Sequence, residues 1–411
     1  MVMRIIHVTF STSGGAGDIA LSLQNFQSGV GFDSEIYSLT SGDIRSVLFR
    51  RPFLFSSGLL DYFLVKHPKT DGLFTLFRRG FNFRRSSLFA EGVILHIHWY
   101  PGVISLKQFM KFCKRSVPML ITLHDMHPIT GGCHFSYECN NHRYKCENCP
   151  QVRKPFQRMV QRRYSKKSRI YRENPALGFT TPGPWLLEQL RISPISANIG
   201  SRLILNAVDV DIFKPRDSSK LREFHQIPSD AFVIGCCAVN IQDLRKGIEV
   251  VFRAWMSMQE EKILTREIWL VVVGGGRLQI EQLVQQNYVR FQLTRSKGDL
   301  AEIYSIFDVL CSMSSAETFP NVVHECAAMG IPSILSLIDG HAHAIGSFAI
   351  GARNECDLKD AVILLGQNSH LMHELRLNAL EFARSLDLST IHEQYAEEYA
   401  RLIKTSLRID K

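Results

Sequence analysis

The chain has 411 residues, 45% of them hydrophobic and 21% charged, with a formal net charge of +9. That length exceeds one ordinary core and suits two α/β domains of about 200 residues each. No apolar run approaches the roughly 20 residues that span a bilayer, and ten cysteines fall short of the density of a secreted disulfide scaffold.

Arg4 to Phe10 reads as a strand running straight into the glycine turn Ser13-Gly14-Gly15-Ala16-Gly17. A signal peptide is not expected there, so a cytoplasmic location is the default expectation. A helix from Asp18 to Val30 and a strand from Ser34 to Ser38 follow. The stretch from Arg45 to Arg85 mixes aromatic and basic residues, as an acceptor-side region would. Val93 to His98 and Met119 to His124 are short apolar runs ending in His. They have the pattern of buried parallel strands whose C-terminal ends open on a crevice, where such sheets bind ligands. His124 is followed by Asp125; a lone His at a strand end is more often structural than functional.

The next loop carries Cys133, Cys139, Cys146 and Cys149, the last two as a Cys-x2-Cys knuckle. This set suits a tetrahedral, structural zinc site; buried free thiols are the other reading. Beyond it, Arg153, Lys154, Arg158, Arg162, Arg163, Lys166, Lys167, Arg169 and Arg172 occur with no acid among them. A second basic cluster is Arg78, Arg79, Arg84 and Arg85. Either cluster is a solvated face, or it meets an anionic membrane leaflet, where each cation contributes about 1 kcal/mol. Nucleic acid is not expected, because no helix-turn-helix, RNP or zinc-finger signature accompanies the charge.

The Gly/Pro-containing stretch from Thr180 to Ser201 reads as the domain boundary. A second βα series starts near Arg202, with strands at Leu203 to Leu205, Phe232 to Ala238, Ile268 to Val273, Val289 to Leu293, Val309 to Ser312 and Ser333 to Leu335. The domains are therefore expected at 1–190 (acceptor-binding, with the Cys-rich loop 131–150) and 191–385 (nucleotide-sugar-binding). A C-terminal segment, 386–411, contains a helix from about Thr390 to Leu407 that packs back on the first domain.

The strongest local signal lies between Ser314 and Pro332. A strand ends near Ser312, and a helix starts near Pro320 or Asn321. Pro suits a first helical turn, where its missing N–H would have no partner. The N–H groups of Asn321, Val322 and Val323 then offer an anion site for a diphosphate. Glu317 precedes this helix and Glu325 sits one turn inside it, so the two carboxylates can reach different parts of one ligand.

Glu-x7-Glu enclosing Phe319-Pro320-Asn321-Val322-Val323, then Ala328-Met329-Gly330-Ile331-Pro332, resembles the signature of retaining glycosyltransferases of family 4, which have the GT-B fold. The resemblance covers most of the chain. Asn206-Ala207-Val208-Asp209 through Phe213 and Pro215 is similar to the family's Asn-Gly-Val-Asp stretch. Lys246-Gly247, Val273 to Gly276 and Tyr304 to Val309 follow in the family's order.

The resemblance implies two Rossmann-like domains facing a cleft, and transfer of a sugar, expected to be a hexose, from a UDP-, GDP- or ADP-sugar to a hydroxyl acceptor. Similar Cys loops occur in a subset of these transferases that act in bacterial surface-polysaccharide assembly, and the basic clusters favour a lipid-linked glycan acceptor at the inner membrane face. By the same resemblance Lys246 neutralises the donor diphosphate, Glu325 holds the ribose hydroxyls and Glu317 stands beside the transferred sugar. Gly14 and Gly15 form the glycine turn that phosphates approach, and His124 lies near the sugar. Catalysis then requires no metal. Two departures stand out. Asn240 occupies the position of a second phosphate-binding Arg, whose part Arg245 or Arg277 would take, and His341-Ala342-His343 replaces a glycine-rich turn followed by an acid. A non-catalytic nucleotide-sugar-binding protein on the same fold is the alternative reading.

Overall fold

The structure is a computed structural model, described here for residues 3–39, 61–66, 73–76, 92–283, 286–294 and 296–409. Arg78, Arg79, Arg84, Arg85 and most of the stretch from Arg45 to Arg85 lie outside the described residues.

The chain divides into two compact units. The first comprises Met1–Asn206 and Leu388–Lys411, the second Ala207–Asp387. The first holds β1 (Arg4–Thr9), β2 (Asp33–Ser38), β3 (Val93–Ile97), β4 (Met119–Thr122), β5 (Leu177–Thr181) and β6 (Gly200–Leu203), in the order β2-β1-β3-β4-β5-β6. All neighbours are parallel. The inner strands read as unbroken runs, Val-Ile-Leu-His-Ile in β3 and Met-Leu-Ile-Thr in β4, and every residue of both is buried. That is the pattern of a sheet covered on both faces.

The strand expected at Leu203 to Leu205 is instead β6, Gly200–Leu203, and it closes the first sheet rather than opening the second. The expected linker from Thr180 likewise contains the end of β5, the helix Pro184–Ile192 and the start of β6. Gly and Pro here mark a βαβ unit, with Pro184 in the first turn of its helix, where it costs no hydrogen bond. The division therefore falls at Asn206/Ala207, and not at 190/191.

The C-terminal helix Leu388–Ile409 belongs to the first unit. Its Tyr395 and Tyr399 are buried, and Ser406 Oγ donates to Ser116 O at 2.8 Å.

The second unit holds β7 (Phe232–Asn240), β8 (Ile268–Gly275), β9 (Tyr288–Phe291), β10 (Val309–Ser312), β11 (Ser333–Ser336) and β12 (Ala349–Ala352), in the order β12-β11-β10-β7-β8-β9. These strands are also parallel. The order reverses between β7 and β10, the point at which open α/β sheets place ligands beyond the strand ends. The Lys246 and Glu317 loops follow those two strands.

Candidate functional site

In the second unit the site is built on two loops locked together. After β7, Asp243 Oδ1 accepts from Arg245 N at 3.1 Å and starts the short 3-10 turn Leu244–Lys246. Gly247 ends that turn with φ 64°, and a Cβ there would stand 2.0 Å from Met313 O, so only glycine lets this loop lie against the exit of β10. Ser315 N donates to Arg245 O at 2.8 Å and ties the loops. Gly340 does the same for a third segment: a Cβ there would meet Glu317 O at 2.1 Å.

Glu317 Oε1 accepts from Lys246 Nζ at 2.6 Å and from Arg245 Nη1 at 2.9 Å. Burial by itself would raise the Glu317 pKa, but Lys246 and then Arg245 outweigh it and hold the carboxyl at about 2. Arg245 also donates to Ala316 O and Asp243 Oδ2. It therefore sits beside Lys246 as a second cation on the same carboxylate oxygen. Asn240 itself accepts from Gln242 N at the end of β7. Arg277 contributes its carbonyl to Gln242.

Glu325 lies on the helix Asn321–Ala328, with Pro320 as N-cap. Burial pushes the Cys237 thiol up to about 11; Glu325 adds to that and Lys246 opposes it. Cys237, in β7, thus senses both charges. The helix N-terminus offers fewer free donors than expected, because Val323 N is bonded to Pro320 O at 3.1 Å. The tight first turn uses this N–H internally.

The departure at His341-Ala342-His343 has a physical account. His343 Nε2 lies 2.8 Å from His324 Nε2, and both rings stack on Phe319. His341 is fully buried, and its Nδ1 is 3.0 Å from the Ser336 carbonyl. A carbonyl carries no proton, so Nδ1 is the donor and Nε2 is a bare acceptor. Among the described residues that Nε2 has no hydrogen-bond partner, and His341 is close enough to Glu317 and Lys246 to feel both charges. A cavity of about 610 Å³ lined by Pro215, Arg222, Asp308 and Arg376 includes none of these residues.

In the first unit, Gly14 caps the helix Gly15–Gly29 with φ 79°, and a Cβ on Gly14 or Gly15 would meet nothing within 4 Å. Among the described residues, nothing crowds either glycine after β1. His124 stands two residues past β4 and is half-buried. Its Nε2 lies 3.1 Å from His98 Nδ1, whose own Nε2 lies 3.0 Å from His7 Nδ1. His96 bonds Tyr399 and Thr122, each at 2.7 Å. Burial lowers the His7 and His124 pKa values to about 4 and holds those of His96 and His98 well below the ordinary imidazole value. Of these four histidines only His124 was singled out from the sequence. The missed signal is His-x-His at 96 and 98: His96 pairs level with His7 in the sheet, and the period of two turns His98, just past the end of β3, to the same side.

Asp125 serves the adjoining loop: it accepts from His127 N and from His134 Nδ1, each at 2.7 Å. Cys133, Cys146 and Cys149 are buried and Cys139 is partly so. Burial raises the thiol pKa values of Cys133 and Cys146, the latter to about 12, and neighbouring thiols add to it. Among the described residues, the group whose ligand atoms all lie within 4.8 Å of one another is His7, His96 and His98; the four cysteines do not form one. The donor set suits zinc in chemistry, and its sulfurs stand wider apart than one coordination shell requires.

Of the nine cations from Arg153 to Arg172, Lys167 does not face solvent. It is 1% exposed and donates to His127 O and Thr130 O. Burial pushes its pKa down to about 7. These two loop carbonyls, with Thr130 N also donating to His127 O, give the enclosed ammonium its acceptors. The other eight are exposed or half-exposed. Among the described residues, no helix is long and apolar enough to cross a membrane.

Residues 212–382 match the family model of Glycosyl transferases group 1. The chain is 25% identical over 289 residues to the putative colanic acid biosynthesis glycosyl transferase WcaC of Escherichia coli, covering 65% of this chain and 67% of that one. It is 28% identical over 213 residues to D-inositol 3-phosphate glycosyltransferase 2 of Catenulispora acidiphila. That match covers 48% of this chain, which spans about half of the relative's length. Sucrose-phosphate synthase from Thermosynechococcus elongatus superposes with a TM-score of 0.67 at 17% identity, over 98% of this chain and 99% of that one. Anabaena HepE, solved with UDP, gives 0.61 at 13% identity over 97% and 100%. The chain has the GT-B fold.

Proposed function

We propose that this chain is a retaining glycosyltransferase of family 4, transferring a sugar, a hexose by preference, from a nucleotide-sugar donor to a hydroxyl acceptor. The observation that carries the reading is the pairing of Glu317 with Lys246 and Arg245 at the exit of β10, with Glu325 eight residues on, inside the segment that matches the group 1 glycosyl transferases.

The chemistry follows from charge. When the bond to the donor sugar breaks, negative charge develops on a diphosphate. Lys246 and Arg245 supply fixed positive charge there, and the N–H groups at Asn321 and Val322 add the positive end of a helix dipole. Glu325 accepts the paired ribose hydroxyls. Glu317 stands against positive charge developing on the sugar, and the acceptor attacks from the face the leaving group departs. His341 Nε2, a bare acceptor near this pair, suits a donor hydroxyl. Gly14 and Gly15 leave room for phosphate to approach the end of β1. The positive charge comes from side chains and a helix, so we assign catalysis no metal.

The acceptor we infer is a lipid-linked glycan in surface polysaccharide assembly, at the inner face of a membrane. The basic face of the helix Gln157–Arg172 and the colanic acid assignment of the Escherichia coli relative support it. We also propose a structural zinc for the Cys133, Cys139, Cys146 and Cys149 loop, on the strength of three buried thiols and one half-buried thiol in one loop; binding it would require the sulfurs to draw together. A non-catalytic nucleotide-sugar-binding protein is the second reading, favoured by Asn240 in place of the usual Arg. A thermal-shift panel of UDP-, GDP- and ADP-sugars tests the donor class: a ligand at a hundredfold its Kd adds about 2.7 kcal/mol. Turnover of the stabilising donor separates the two readings.

A further inference from the structure

The buried histidines of the first unit do more than fill a core. We propose that His98 and His7 are positioning residues that hold the His124 imidazole as its Nε2–H tautomer, leaving Nδ1 as a bare acceptor for a hydroxyl of the bound sugar. The proposal rests on the reading of His124 as a site residue.

The three rings form one line across adjacent strands. His7 lies in β1, His98 follows β3 and His124 follows β4. The line ends at Gln27, whose Oε1 lies 2.8 Å from His7 Nε2 and also accepts from Ser34 Oγ at 2.7 Å. Gln27 Nε2 is turned the other way and donates to Tyr399 OH at 3.3 Å. An amide oxygen carries no proton, so His7 Nε2 must donate to it. A neutral imidazole carries one proton only, so His7 Nδ1 is bare and accepts from His98 Nε2–H at 3.0 Å. By the same rule His98 Nδ1 is bare and accepts from His124 Nε2–H at 3.1 Å. Each link fixes the next, and the last leaves His124 Nδ1 unprotonated. Among the described residues that nitrogen has no hydrogen-bond partner.

The argument requires neutral rings. Burial is the largest cause of the lowered pKa in all four histidines, and His7, His96 and His98 are 0%, 0% and 4% exposed. The ring nitrogens of His7, His96 and His98 already have partners: Gln27, Tyr399, Thr122, His124 and one another. A metal in this triad would have to displace them. A merely space-filling cluster would not need a continuous line that reaches a half-buried ring at a strand end.

The test is the nitrogen NMR spectrum of histidine-labelled protein at neutral pH, with donor turnover measured alongside. In the wild type His124 should show protonated Nε2 and bare Nδ1. His98→Phe should leave His124 a mixture of tautomers and lower turnover about tenfold, the effect of one misplaced hydrogen bond. His98→Gln, whose amide can accept at one end and donate at the other, should restore both. The wild-type spectrum and the glutamine variant decide the question even if the phenylalanine variant does not fold. A wild-type Nδ1–H tautomer would overturn the proposal, as would a His98→Phe protein with unchanged tautomer and rate. So would stoichiometric zinc or nickel, added as the chloride, that binds the wild type and is lost in His98→Gln. Wild-type turnover in His124→Ala, with the tautomer as proposed, would count instead against His124 as a site residue.

Discussion

Lys246 Nζ lies 2.6 Å from Glu317 Oε1, and Arg245 reaches the same oxygen at 2.9 Å. Without ligand, the cation assigned to the diphosphate and the carboxylate assigned to the sugar neutralise each other. Glu317, 10% exposed, has its folded pKa held at about 2, below the usual value of about 4.3 for a free glutamate. Its contribution to stability is therefore complete above pH of about 4.5 and is lost as pH falls towards 2. The linkage is worth on the order of 3 kcal/mol at most. Denaturant midpoints for wild type and Glu317→Gln should differ at pH 6, with the gap closing steadily below pH 4.5. A constant gap down to pH 2.5 would show that the ion pair does not form.

Glu317→Gln should keep the fold near neutral pH and bind nucleotide, yet lose most turnover, because its charge acts on the sugar in the transition state. Wild-type rates in this variant would place the reacting centre elsewhere.

Lys246→Ala and Glu325→Ala should each weaken donor binding by roughly 1.5–3 kcal/mol, the range for a hydrogen bond to a charged group. Calorimetry with the nucleotide diphosphate alone checks both. Unchanged affinity in the pair would remove the assignment of the diphosphate and ribose subsites.

The helix Gln157–Arg172 should hold anionic vesicles through Arg158, Arg162, Arg169 and Arg172. Co-sedimentation should fall as salt shortens the screening length from about 10 Å at 0.1 M to about 3 Å at 1 M. Changing those four to Gln should abolish it with the melting temperature unchanged. Lys167→Gln should instead lower the melting temperature, because it removes the buried ammonium that donates to both His127 O and Thr130 O. Salt-independent binding would contradict the electrostatic account.

The cysteine loop should carry about one zinc in reduced, untagged protein. Cys146→Ser should lose it and melt earlier, since metal binding is linked to folding. Sub-stoichiometric metal and equal melting temperatures in both proteins would show free thiols.

Much of the fold was legible because buried parallel strands are written as apolar runs: Val309 to Ser312 has the bounds read from the sequence. The boundary was not, because Gly and Pro in Thr180 to Ser201 signal a turn without saying which sheet the next strand joins. That choice is made by distant packing, with β6 pairing on β5. Glu317, Glu325 and Lys246 were legible as a spaced pattern, but the ion pair between Glu317 and Lys246 was not, because it depends on two loops 71 positions apart meeting over Gly247. The histidine line escaped for the same reason. Its members lie far apart in the chain, at 7, 98 and 124, and only the strand order β1-β3-β4 brings them together.

The central claim is sugar transfer from a nucleotide donor, and product release measures it most directly. Purified chain is incubated with UDP-, GDP- and ADP-glucose, with and without an extract of lipid-linked glycans, and free nucleoside diphosphate is quantified. The account predicts release from one nucleotide class, stimulated by the glycan lipids and abolished in Glu317→Gln. Tight, saturable donor binding with no release under any condition would contradict it and leave the non-catalytic reading.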